Sequence, residues 1–206
     1  AEQWAQAEPQ RPEPRIALAR AHAAAGKPRA AARVLVGLSG EDDPERVLDL
    51  GARLARAAPR KPGGDWRAPA LTILARWAEL ETDSPWPYLA RGHFLAQTGD
   101  RRQAAGVFRR ALEIRPGWEL AVVELARTQP VGEAIPALRE FLGGHPEALR
   151  ARRHLAEALL RADRPREARA EYQRLIDKGE DPPEVWLGLG LAHYRLEQWP
   201  EAERAF

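Results

Sequence analysis

Residues 85–118 read PWPYLARGHFLAQTGDRRQAAGVFRRALEIRPGW, which is two segments that both contain apolar residues, separated by a glycine turn at 99–100. The first segment carries Gly92, and the second carries Ala104 followed four residues later by Phe108. Both segments are rich in strong helix formers. Where two antiparallel helices cross closely, a residue with almost no side chain leaves a space that a large side chain of the other helix fills. The stretch therefore predicts a helix hairpin.

The same element occurs six times along the chain. In each copy, a first helix carries a large apolar residue followed by a small one, and a second helix is entered through an alanine. The small residues are Ala19, Gly51, Gly92, Ala126, Ala156 and Gly190. The alanines are Ala31, Ala70, Ala104, Ala134, Ala168 and Ala202, and four residues after each comes Leu35, Leu74, Phe108, Leu138, Tyr172 or Phe206. Self-similarity of this kind predicts an all-α array of stacked helix hairpins.

Two copies depart from the common spacing. Twelve residues lead from the small residue to the alanine in four copies, but the second copy is seven residues longer and the fourth is four residues shorter. The extra residues fall around 60–66, where proline and glycine cannot continue a helix, so we expect a projecting loop. Such a loop either recognises a ligand or only decorates the surface, and we favour decoration. The fourth hairpin, shortened around 128–130, loses about one turn of helix, which predicts a local change in curvature.

The copies divide the chain into successive hairpins. Residues 1–11, with Trp4 at their centre, are expected to form the second helix of a preceding, truncated repeat. Complete hairpins are predicted at 12–43, 44–84, 85–118, 119–148 and 149–182, and a truncated one at 183–206. The sequence contains no methionine and begins and stops inside predicted helices. We therefore interpret it as a fragment of a longer protein, whose uncapped ends are expected to favour self-association.

The composition excludes several classes of protein. The 32 lysine and arginine residues nearly balance the 30 acidic residues, so there is little surplus for the basic stripe that nucleic acid binding requires. The chain contains no cysteine, which rules out disulfides and thiolate metal sites. No apolar run approaches the ~20 residues of a membrane-spanning helix, and no secretory signal opens the chain.

Residues 85–118 resemble the tetratricopeptide repeat, a helix–turn–helix unit of about 34 residues. The matching residues in this copy are Tyr88, Gly92, Ala104, Phe108, Ala111 and Pro116, and in the last copy Trp186, Leu189, Gly190, Tyr194, Ala202 and Phe206. The resemblance extends over essentially the whole chain. It implies a right-handed α-solenoid, the superhelix of this family, with a concave groove that is lined by the first helix of each hairpin and binds proteins or peptides.

By this resemblance, several side chains are expected to face the groove. They are Trp86, Leu89 and His93 in the third hairpin, Leu120, Val123 and Arg127 in the fourth, Arg150, Arg153, Glu157 and Arg161 in the fifth, and Tyr194 and Arg195 in the sixth. The spacing of the fifth hairpin's residues independently places them on one stripe of a helix. Arginines beside Trp86 and Tyr194 would suit a partner segment with carboxylates and apolar anchors. The alternative is a solvated helix face. A carboxylate clamp of the kind used by chaperone co-factors is not expected, because that pattern needs asparagine and the chain has none.

No catalytic, metal or cofactor site is predicted. Ser39 and Ser84 are the only serines, both lie in predicted turns, and a cysteine nucleophile is excluded. The histidines form no His-Glu-x-x-His element. His154 with Glu157 comes nearest to a site, but a pair at that spacing is typically a surface hydrogen bond. The chain is therefore predicted to be a non-catalytic scaffold or adaptor for a partner protein.

Residues 117–176 are similar to the repeats of proteobacterial envelope lipoproteins. That group includes adaptors that hold a carboxyl-terminal processing protease and present cell-wall hydrolases to it. The resemblance implies a periplasmic, outer-membrane-anchored adaptor for a protease. The alternative is the structural repeat region of an exopolysaccharide synthesis and export protein, in which a long solenoid spaces other subunits. The two differ in whether the groove holds a defined protein partner or the ends hold a secretion channel.

Overall fold

The computed structural model describes residues 12–41, 43–59, 63–180 and 182–206. These residues form thirteen helices and no strand, so the predicted all-α class is confirmed for them. The chain divides by its internal contacts into two units, Ala1–Pro116 and Gly117–Phe206. The predicted helix at 1–11, including Trp4, lies outside the described residues, as do residues 60–62 of the predicted loop.

The first unit is built from helix pairs. The turns between α1 and α2 and between α6 and α7 are each three residues long, and the joined helices pack against each other. The first helix of the second hairpin is interrupted at Asp49, which separates α3 from α4. The helices are α1 (Pro12–Ala24), α2 (Pro28–Leu35), α3 (Pro44–Leu48), α4 (Leu50–Ala57), α5 (Ala68–Leu80), α6 (Trp86–Gln97) and α7 (Arg101–Ile114).

The described part of the predicted 60–66 loop folds back onto the first unit instead of projecting from it. The Trp66 indole lies edge-on to the Phe94 ring of α6, with the ring centroids 6.0 Å apart. An indole loses apolar exposure and gains a favourable ring geometry in such a contact, which is the physical reason for the difference from the expectation.

The second unit is a continuous stack of six helices. Each helix packs against the next one along the chain, and α10 also contacts both α8 and α12. The shortened hairpin has lost its residues from the first helix, since α8 has 10 residues where α10 and α12 each have 13. The helices are α8 (Glu119–Thr128), α9 (Val131–Gly144), α10 (Leu149–Arg161), α11 (Pro165–Asp177), α12 (Pro183–Arg195) and α13 (Trp199–Ala205).

The close crossings within two hairpins follow the predicted pairing of small and large residues. A Cβ atom added to Gly92 would lie 2.5 Å from the Phe108 ring, and one added to Gly190 would lie 2.6 Å from the Phe206 ring. Both distances are far shorter than van der Waals contact. The phenyl rings therefore occupy the space that an alanine methyl group would need.

Two other large side chains pack against a neighbouring hairpin instead of their own. A Cβ atom added to Gly51 would lie 2.5 Å from Phe94 of the third hairpin, so this side chain fills the space beside Gly51. The Tyr172 ring lies over Gly188 of the following hairpin, where a Cβ atom would overlap the phenol. Burial there raises the pKa of Tyr172. In both cases the ring packs against a glycine on a helix of a neighbouring hairpin.

The turn inside four hairpins adopts the same left-handed backbone. Gly26, Gly99, Asp163 and Glu197 each follow the small residue of their hairpin by seven positions, and their φ angles lie between 56° and 92°. Glycine enters this region without a steric penalty, whereas other residues meet one of about 1–2 kcal/mol. The conformation is therefore imposed by the hairpin and not by the residue that occupies the turn.

Gly92→Ala is expected to lower the free energy of unfolding by about 1–3 kcal/mol, because the new methyl group overlaps the buried Phe108 ring. Urea unfolding followed by circular dichroism measures the change. Gly106→Ala in α7 is the matched control, because a Cβ atom there meets nothing within 4 Å. That change should stabilise the helix by about 0.5–1 kcal/mol. Equal effects of the two substitutions would contradict the packing account.

Glu197→Gly is expected to stabilise the chain by about 0.5–1 kcal/mol, since it removes the left-handed strain but adds chain entropy to the unfolded state. The same substitution at Glu203, in the body of α13, should destabilise by a similar amount. Both are measured by urea unfolding. A loss of stability at residue 197 would show that the turn does not strain its glutamate.

Candidate partner-binding surface

The first helices of the second unit's hairpins lie side by side. α10 contacts α8 on one side and α12 on the other. With 3.6 residues per turn, positions 150, 153, 157 and 161 share one side of α10. Arg150 and Arg161 are exposed there, and Arg153 and Glu157 are half-buried, while Leu155 and Leu159 on the opposite side are buried.

Side chains from α8 and α12 fix these helices to α10. The Glu119 carboxylate accepts a hydrogen bond of 2.9 Å from the backbone N–H of Ala151, which caps the first turn of α10. At the other end, Arg195 donates to the carbonyl oxygen of Leu160 and lies 3.7 Å from the Asp163 carboxylate. Arg195 was predicted to face the groove, but these contacts give it a structural role as well.

Glu157 is held among positive groups at the centre of the α10 stripe. Its carboxylate lies 3.0 Å from His154 Nδ1 and 4.0 Å from Arg153 Nε. Burial raises the pKa of the Glu157 carboxyl, but the hydrogen bond from His154 and the charges of Arg153 and Arg127 bring the net pKa below its ordinary value of 4.5. Arg127 also lies 3.1 Å from the buried Glu124 carboxylate. The only carboxylate in the predicted stripe is thus neutralised by its neighbours.

Arg150 and Arg161, at the two ends of the stripe, differ from Arg153 in their ion pairing. Within the described part of the chain, no carboxylate lies within ion-pair distance of Arg150 or Arg161. Both keep their hydrogen-bond donors turned to solvent, where they can bind an incoming carboxylate in two-point contact.

An apolar stripe runs along α12, a helix that contacts α10. Leu187, Leu191 and Tyr194 recur at helical spacing and are 53%, 41% and 54% exposed. The Tyr194 ring meets the exposed Trp199 ring edge-on, with centroids 5.1 Å apart. Of these residues only Tyr194 was predicted. The sequence did contain a signal for the other residues. α12 carries apolar residues on two sides, although only one of these sides packs against other helices.

The predicted groove residues of the third hairpin belong to the first unit, and two of them are buried there. Trp86 and Leu89 were predicted to face the groove, but they are only 5% and 0% exposed and pack within the first unit. The Trp86 ring packs against Gly40, and α6 is surrounded by α3, α4, α5 and α7. His93 is half-buried and lies 2.8 Å from the Gln97 amide.

The predicted groove residues of α8 are partly buried as well. Leu120 and Val123 were predicted to face the groove, but both are buried in the second unit. Arg127 is exposed. The surface that remains, called here the first-helix surface, consists of Arg127, Arg150, Arg153, Glu157, Arg161, Leu187, Leu191, Tyr194 and Arg195.

The arrangement suits binding more than chemistry. Guanidinium groups remain protonated at neutral pH because their pKa is far above it, so they are poorly suited to act as general acids or bases. Among the residues the structure describes, no three acidic or histidine side chains converge as a metal site would require. None of the described helices combines the length and apolarity of a bilayer span.

Comparison with known proteins agrees with the fold. Two models of the tetratricopeptide repeat match the sequence, one at residues 119–165 and 155–206 and the other at 12–36 and 85–110. No curated protein matches the chain.

Solved structures of MamA are similar to this chain in fold. MamA 41-end from Desulfovibrio magneticus RS-1 is 22% identical with a TM-score of 0.59, and the match covers 82% of this chain and 93% of that one. The MamA RS-1 ArsTM double mutant is 23% identical with a TM-score of 0.58 and the same coverage. MamA MSR-1 C2 is 20% identical with a TM-score of 0.52, covering 79% and 92%. At these identities the likeness concerns the fold alone.

Glu157→Gln is expected to lower stability near neutral pH by no more than about 0.5 kcal/mol, because the carboxylate is partly exposed and screened. A lowered folded-state pKa means that the stabilisation is present above pH 4.5, the ordinary value, and is lost as pH falls through the folded-state value. Urea unfolding of both proteins at about pH 7 and about pH 3 should therefore show a difference that closes in acid. If the difference in the free energy of unfolding became larger in acid, the pKa of Glu157 would be raised in the folded protein and not lowered.

Proposed function

We propose, from the premise that this chain belongs to the tetratricopeptide-repeat family, that its first-helix surface binds a segment of a partner protein. Proteins of this family are protein-binding scaffolds, generally without catalysis, and the chain is such a scaffold. The observation that carries the proposal is the contact between two helices. One is α10, whose exposed Arg150 and Arg161 have no carboxylate partner among the described residues, and the other is α12, which carries an exposed apolar stripe.

The surface favours a partner with carboxylates and apolar anchors at a defined separation. Adjacent packed helices lie about 8–10 Å apart. An extended chain advances about 3.3–3.6 Å per residue. A segment that crosses from α10 to α12 would therefore place an acidic residue about three positions from an apolar one. The acidic residue binds Arg150 or Arg161, and the apolar residue packs against Leu187, Leu191 and Tyr194.

A role as an adaptor in the bacterial envelope is our narrower proposal, and it is supported by the resemblance of residues 117–176 to envelope lipoprotein repeats. In that setting the bound segment belongs to a protease or to its substrate. The alternative is a structural spacer in polysaccharide export. A spacer has no need for exposed leucines beside unpaired arginines, and this observation favours the adaptor.

Selection of random peptides on the immobilised chain tests the proposal. The expected peptides carry aspartate or glutamate about three residues from leucine, isoleucine or phenylalanine. Changing Arg150, Arg153 and Arg161 to glutamate should weaken their binding at least about tenfold, because charge-assisted hydrogen bonds are replaced by repulsion. Added salt should weaken the native interaction.

The matched control reverses Arg101, Arg102 and Arg109, which are exposed on α7 in the other unit. It changes the net charge equally and should leave the selected peptides bound. Helical circular dichroism checks that both variants are folded. If the α10 variant selects and binds the same peptides as the native chain, the stripe is a solvated helix face and the proposal fails.

A further inference from the structure

A second feature of the second unit lies on the opposite side of α10. A pocket of about 470 Å³ opens between α9, α10 and α11. Arg152 and Leu155 line it from α10, and both positions point away from the stripe that contains residues 150, 153, 157 and 161. The remaining charged lining residues are Arg139, Glu167, Glu171 and Arg174. We call this cavity the arginine pocket.

Arg152 is the most unusual lining residue, because it is a charged side chain that is only 8% exposed. Its Nη1 lies 2.8 Å from the Glu171 carboxylate, and its Nη2 donates a hydrogen bond of 2.8 Å to the carbonyl oxygen of Pro146. Its Nε is buried, and none of the described residues accepts a hydrogen bond from it. A buried donor without an acceptor is unfavourable and rare in native proteins.

Positive charge exceeds negative charge around the pocket. Glu171 is shared by Arg152 and Arg174, at 2.8 Å and 2.5 Å. Glu167 is shared in the same way by Arg164, at 2.6 Å, and by Arg139. Each carboxylate therefore serves two guanidinium groups, and the pocket lining itself, with three arginines and two glutamates, carries one surplus positive charge. The surplus is the condition under which an anion is held.

The lining also indicates what kind of anion fits. Leu142, Leu155 and Ala170 contribute apolar contact beside the arginines. Inorganic phosphate has no carbon skeleton to use such a surface, whereas an aliphatic carboxylate presents methylene groups to it. The planar guanidinium group matches a carboxylate in two-point geometry. The two nearby glutamates disfavour a compact dianion, since like charges repel at close range.

We propose that the arginine pocket is a second binding site, which takes an aliphatic carboxylate. The carboxylate lies among Arg139, Arg152 and Arg174, and its methylene groups contact Leu142 and Ala170. The source is either a free short dicarboxylate or an acidic side chain of a bound polypeptide. Because the pocket and the first-helix surface lie on opposite sides of α10, the two sites are independent.

Titration of the native chain with glutarate tests this, followed by NMR of the backbone amides and of the arginine Nε–H groups. Inorganic phosphate, sodium chloride at matched ionic strength and a tetraglutamate peptide are titrated in parallel. Glutarate should shift the Arg152 Nε–H signal and the amides of α11 more than phosphate or chloride does. Equal shifts with phosphate would overturn the assignment of a carboxylate.

Two variants locate the binding. Ala170→Leu fills the pocket on the exposed side of α11 without altering its charges, and it should weaken glutarate binding at least about tenfold. The variant with Arg101, Arg102 and Arg109 changed to glutamate, all in the first unit, should bind glutarate as the native chain does. Glutarate binding that survives Ala170→Leu unchanged, or no response of the folded native chain to either glutarate or tetraglutamate, would overturn the site. A response to glutarate identifies the free dicarboxylate as a ligand, and a response to tetraglutamate alone identifies the side chain.

Discussion

The fold depends on the close approach of helices at positions that carry no side chain. At Gly92 and Gly190 the available space is occupied by a phenyl ring, and at Gly51 and Gly188 it is occupied by a ring from a neighbouring hairpin. Because protein interiors are packed as densely as crystals, each such contact fixes the distance and register of two helices at once. The positions of the charged and apolar surface stripes follow from that register, since one step along a helix rotates every side chain by about 100°.

Much of the architecture was predictable because the small and large residues that pack against each other lie close together in the sequence. The spacing of Gly92, Ala104 and Phe108 predicts a hairpin by itself, and no residue outside this hairpin is needed for the prediction. The burial of Trp86 was not predictable, because it depends on Gly40 in a preceding turn and on α3, which begins after a break in the pattern. Leu187 and Leu191 were missed for a related reason. On a helix that is apolar on several sides, sequence periodicity does not separate residues that pack from residues that remain exposed.

The two charged regions of the second unit show why residue type alone does not define a site. Arg150 and Arg152 are two residues apart, yet the first is exposed and the second is nearly enclosed between α9 and α11. The pocket is assembled from three helices, and its charge balance depends on which carboxylates are shared. Helical spacing predicts the pairs Arg164–Glu167 and Arg174–Glu171, but it does not reveal that Arg139 and Arg152 on neighbouring helices share the same two carboxylates.

The backbone N–H of Ala151 in α10 donates a hydrogen bond to the Glu119 side chain in α8, and the two residues are 32 positions apart in the sequence. The residue before α10, Ala148, supplies no side-chain cap of its own. α10 therefore begins on a group that belongs to the preceding hairpin. Hairpins with this dependence are not interchangeable modules, because a copy that is duplicated or moved within the array arrives without the acid that completes its first turn. The order of repeats in this unit is thus part of the information that the sequence must preserve.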